Sequence, residues 1–278
     1  MAIVAGLRLT GKPSAAMRSA MLHGLDQLGP YRAPPLALVV ALALTRAGRV
    51  RAVFPFVSTA VAALLGWAWL LEGARPWRML WAPVGTAQHL VLAAAAAIGL
   101  GLVGARRHGR WIVLGAVVAV AWWVAGSPPA RDEFWRVWLA GALAIGVVQW
   151  ASAAEQVRGV AAPFALAAGL GAAGAAWPWP LAALVLAAAA LPGLRGGVPV
   201  LPLAVLTGAT ATAASLGAGR LVQGRVTAVD CACVLALLAP RAVPSVARRL
   251  GTRNVAAPFI VVIGAAALTW AVRHLTFR

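Results

Sequence analysis

Apolar residues run along this chain in blocks of about 15–26 positions, broken by short connections that carry Arg, Pro and Gly. A helix needs about 20 apolar residues to cross the hydrocarbon core of a bilayer, so blocks of this length read as spans. The pattern predicts helices over 52–71, 79–104, 111–126, 137–154, 160–176, 180–194, 198–218, 226–240 and 255–272. A further run, 33–45, would reach about 20 Å as a helix, short of the roughly 30 Å core. The expected fold is an all-α polytopic transmembrane bundle of nine spans, with 33–45 in the interface or re-entrant, or of ten if that run crosses.

Ahead of the spans, Met17, Met21, Leu25 and Leu28 recur at helical spacing, with Arg18, His23, Asp26 and Gln27 off the stripe and Pro30 closing the segment. Residues 1–32 therefore read as a cytoplasmic amphipathic segment and 33–278 as one transmembrane domain. A faint repeat runs through that domain at an offset near 145. "PPLALVVALAL" from Pro34 resembles "PWPLAALVLAAAA" from Pro178, Pro55 matches Pro202, and "ARR" at 105–107 matches "ARR" at 247–249. The half-repeats would be 33–126 and 178–272; six spans between equivalent helices would make the repeat parallel.

Composition agrees with a membrane reading. The chain is 62% hydrophobic and 11% charged, which excludes an ordinary soluble domain and a disordered tail. Its net charge of +18 would suggest nucleic acid in a soluble protein. Here the cations stand in separate loops, such as Arg46, Arg49 and Arg51 or Arg106, Arg107 and Arg110, so nucleic acid is not expected and the bilayer is the partner. With 33–45 not crossing, the loops on one side and the N-terminal tail hold 16 Lys+Arg against 8 on the other. This places the N-terminus in the cytoplasm and the C-terminus outside a bacterial-type inner membrane. No cleavable signal peptide is predicted, because the run Ala2–Leu7 is too brief. Cys231 and Cys233 would point about 200° apart on a helix, which suits small core residues better than a disulfide or a shared metal.

Few polar groups fall inside the spans, and each needs a partner or a cavity. Thr86, Gln88 and His89 share one span just after Pro83, and imidazole titrates near neutrality, so they form a candidate substrate or proton site. The competing reading is a histidine bonded to a neighbouring helix. Asp230 is either a carboxylate that couples transport to protons or a helix-end acid paired with Arg225 or Arg220. Thr207 and Thr210, in the most hydroxyl-rich span, either line a solute path or sit where helices pack closely. Of the thirteen Trp, Trp77, Trp81, Trp111, Trp135, Trp138, Trp177, Trp179 and Trp270 cluster near span ends, as an aromatic belt does.

Several functions are disfavoured by what these residues lack. No phosphate-binding glycine motif is present, Lys12 is the one lysine, and no pair of acids shares a helix face within a span. No cofactor, metal or catalytic residue is expected, and an enzyme is the less favoured class. The leading expectation is a secondary transporter or flippase-like carrier of a small or lipidic solute. Its rivals are a non-catalytic anchoring or assembly subunit of a larger membrane complex, and an intramembrane enzyme acting on a lipid.

Overall fold

The computed structural model describes residues 29–47, 54–72, 160–194, 200–219, 227–250 and 256–276, and the description of the fold is of these. They form α1 (Ala33–Ala47), α2 (Phe54–Glu72), α3 (Ala161–Ala173), α4 (Trp179–Ala190), α5 (Val200–Gly219), α6 (Ala228–Leu250) and α7 (Ala256–Thr276). Short 3-10 turns, Gly29–Arg32 and Leu191–Leu194, precede α1 and follow α4.

Apolar blocks overstate helix length where Gly and Pro intervene. The block 160–176 closes at Gly174, whose φ of 68° lies in the left-handed region that an L side chain resists. The Gly174 N–H donates to the Gly171 carbonyl and the Ala175 N–H to the Leu170 carbonyl, the pair of bonds that ends a helix in a Schellman turn. Pro178 and Pro180 then restart the chain, and Pro192 with Gly193 falls in the turn after α4. The 13 residues of α3 and 12 of α4 therefore rise only about 20 Å and 18 Å.

The expected nine-span bundle is corrected accordingly. Among the described residues, two helices are long and apolar enough to cross a membrane, Ala228–Arg249 and Ala256–Leu275, while the apolar stretches Ala33–Thr45, Ser58–Leu70, Ala161–Ala173 and Trp179–Ala190 are shorter. The run 33–45 belongs to helix α1, which packs along α2 and α4. The expected spans 79–104, 111–126 and 137–154 lie outside the described residues, as does the amphipathic pattern before Gly29. Nor is packing duplicated as the repeat would require: α1 lies along α2, whereas its counterpart α4 packs on α1, α2 and α3 and meets α5 only lightly.

Rows of small residues four apart make the close contacts. Ala33, Ala37 and Ala41 form the buried row of α1, and Ala161, Ala165, Gly169 and Ala173 that of α3. Ala228, Ala232 and Ala236 serve α6, and Ala257, Val261, Ala265 and Thr269 serve α7. Small side chains let backbones approach, which is how helices associate without large apolar knobs. A Cβ built on Gly169 would stand 3.0 Å from the Ala232 Cβ and 3.5 Å from the Thr269 Oγ1, where α3, α6 and α7 converge. One buried cluster gathers α1, α2 and α4 with Leu203 and Leu206 of α5; the other gathers α3, α6 and α7 with Ala211 and Ala214 of α5.

Candidate functional site

Asp230 stands in the first turn of α6, and its surroundings follow from the local sequence Thr-Ala-Val-Asp. Thr227 caps the helix: its Oγ1 accepts the Asp230 N–H at 3.2 Å, while the Asp230 Oδ2 accepts the Thr227 N–H at 2.9 Å. These reciprocal bonds form a capping box, which satisfies two backbone donors that a helix start leaves open. The Thr227 hydroxyl also donates to Oδ2 at 2.9 Å, and Ser215 of α5 donates to Oδ1. A negative charge at this end also suits the helix dipole. The carboxylate thus ties the end of α5 to the start of α6. Arg220 and Arg225, its expected partners, lie outside the described residues.

Thr207 and Thr210 are fully buried on α5, and each hydroxyl donates back to its own helix, to the Leu203 carbonyl at 2.6 Å and the Leu206 carbonyl at 2.8 Å. Thr269 does the same on α7, to the Ala265 carbonyl at 2.8 Å. This back-bonding lets a hydroxyl be buried among alanines. Thr210 lies five residues before Ser215, about 7.5 Å along α5, and Thr207 a turn further, so neither joins the Asp230 cluster. Thr86, Gln88 and His89 lie outside the described residues.

Cys233 is buried, and its thiol donates to the Ala211 carbonyl of α5 at 3.2 Å, a second tie between α5 and α6; Cys231 is half-buried and both thiols are free. Among the described residues no group of three His, Cys, Asp or Glu is placed to hold a metal ion.

Three features escaped sequence reasoning. Ser215 as the carboxylate's partner requires α5 and α6 to be docked, which no local pattern reveals. Thr227 was readable, because Thr-x-x-Asp before an apolar run is a helix-start signature. The last turns of α6 were readable as well: Leu238, Arg241, Ser245, Arg248 and Arg249 recur at helical spacing and share an exposed face. Ser245, Arg248 and Arg249 line an open pocket of about 330 Å³ there.

The fold and these contacts define an all-helical protein with two apolar helices compatible with membrane contact. No protein-family model, curated protein or solved structure matches the chain.

Proposed function

We propose that the protein is an integral inner-membrane protein, inserted through the α6–α7 hairpin, that anchors or assembles a larger membrane complex without doing chemistry itself. The observation that carries this reading is how the buried polar groups are used. Thr207, Thr210 and Thr269 are spent on their own helices, and Asp230 on a cap and on Ser215. The outward face of α7 supports insertion: Phe259 and Ile263 are each 67% exposed, and Ile260 and Trp270 are exposed beside them, as suits a helix wetted by acyl chains. Gentle extraction followed by native mass spectrometry tests the reading. A second protein subunit held in fixed stoichiometry is expected; a bare chain that moves a solute on its own in vesicles would overturn it.

A second reading is a secondary transporter or flippase-like carrier of a small or lipidic solute. The Thr86, Gln88 and His89 cluster in one apolar run favours it. His89→Ala would then abolish solute movement in vesicles while leaving the protein's extraction and helicity unchanged, and Asp230→Asn would do so only if the carboxylate moves protons. For orientation we propose that Arg46, Arg49 and Arg51 face the cytoplasm.

A further inference from the structure

We infer that the α6–α7 hairpin end is a binding site for an anionic phospholipid. The headgroup phosphate would be held by Arg248 and Arg249 with Ser245, and the acyl chains would lie along the outward face of α7.

Helix α6 changes character along its length. From Ala228 to Pro240 its one ionisable group outside the thiols is the capping Asp230, whereas from Arg241 onward it is amphipathic. Arg241, Ser245 and Arg248, at i, i+4 and i+7, are exposed together with Arg249, and on the opposite side Ala239 and Val243 are buried in the α3–α6–α7 cluster. The basic face covers about the last 12 Å of the helix, at its hairpin end.

Asp230, the acid of the same helix, stands at its other end, about 27 Å from Arg248 by the helical rise. Ser245, Arg248 and Arg249 line the open pocket. Guanidinium groups present a planar fork of donors that fits a phosphate, and a serine hydroxyl adds one more.

The apolar half of the site comes from α7. It runs back along α6, sharing the cluster that holds Val243, Ala257, Val261 and Ala265, so the start of α7 lies beside the end of α6. Phe259, Ile260 and Ile263, in the first turns of α7, are exposed. A basic pocket on the last turns of α6 and an exposed apolar face on the first turns of α7 together match a molecule with a phosphate at one end and hydrocarbon at the other. Free phosphate would use only the first half. Basic pockets at the ends of membrane helices hold anionic headgroups in this manner.

The inference rests on membrane insertion but not on the anchoring role, and the tests separate the two. Protein that stays in solution without detergent would remove insertion itself. For the site, the intact chain in detergent is titrated with phosphatidylglycerol, with phosphatidylcholine and with inorganic phosphate, and bound lipid is read by native mass spectrometry. Phosphatidylglycerol should be retained about 25-fold better than phosphatidylcholine, from about fivefold for each of the two guanidiniums at an anionic surface. The preference should shrink as salt rises from about 0.05 to about 0.5 M.

Arg248→Gln with Arg249→Gln should abolish the preference, and Arg248→Lys with Arg249→Lys should keep most of it. Equal retention of the two lipids, a preference indifferent to salt, or an unchanged preference in the glutamine variant would overturn the site. Displacement of the lipid by inorganic phosphate at equal concentration would overturn its assignment to lipid. Should the glutamine variant lose helicity by circular dichroism, the salt titration of the wild type and the lysine variant still decide.

Discussion

At the residue scale, a few side chains hold positions that no neighbour in sequence could fill. Thr227 and Asp230 start α6 and bind it to Ser215. Thr227→Ala should cost about 1 kcal/mol, the usual value of a cap. Asp230→Ala should cost about 2 kcal/mol, because hydrogen bonds to a charged acceptor are worth more than neutral ones. Thermal unfolding in detergent checks both, and a double-mutant cycle with Ser215→Ala should show coupling if the α5–α6 tie is as drawn.

Glycine matters at two places. A Cβ on Gly66 would stand 2.5 Å from the Val185 Cγ1 and 3.0 Å from the Ala37 Cβ, so Gly66→Ala should destabilise by about 1–3 kcal/mol. At Gly174 the positive φ and the guanidinium of Arg273, 2.5 Å from a built Cβ, both oppose substitution. Gly171→Ala, with nothing within 4 Å, serves as the control and should stabilise α3 by about 0.5–1 kcal/mol.

At the element scale, the tie between α2 and α4 is Trp67. It is the largest fully buried side chain described, and its indole N–H donates to the Ala182 carbonyl at 2.8 Å. An indole is buried at low cost only when that N–H finds an acceptor. Trp67→Phe should cost about 1 kcal/mol for the lost hydrogen bond, and Trp67→Ala about 3–5 kcal/mol because a cavity opens among residues already reduced to alanine. Unfolding midpoints of the two variants, compared in one detergent, separate the hydrogen bond from the volume. The aromatic-belt pattern suits Trp177 and Trp270, which are exposed, whereas Trp67, within α2, is a packing residue. Position in an apolar block does not say which face of a helix is covered.

At the scale of the whole molecule, the hairpin α6–α7 is, among the described residues, the part whose length and hydropathy suit a bilayer. If it inserts, the protein should remain in the membrane fraction through alkaline carbonate washing and require detergent for release. Orientation is read separately: in a Cys231→Ser background, Arg49→Cys should resist a membrane-impermeant thiol reagent on intact cells and react after lysis. Labelling on intact cells would reverse the proposed topology.

Local composition decided much of this protein. The all-helical class, the reliance on Ala, Gly and Thr for packing, and Cys233 as a small core residue follow from residue size and from where charge is tolerated. Helix starts and stops were also local, since Gly174, Pro178, Pro180 and Thr227 act through their own backbone neighbours. What the sequence overstated was length: an apolar block has no intrinsic end, and a left-handed glycine closes α3 and a 3-10 turn follows α4, which leaves both short of a bilayer's thickness.

Only the tertiary structure decided which polar groups meet. Asp230 found Ser215, Trp67 found the Ala182 carbonyl 115 residues away, and the threonines turned back on their own helices. Hydrogen bonds between helices depend on how the helices dock. That docking is set by many weak contacts summed over rows of small side chains, which no single stretch of sequence encodes.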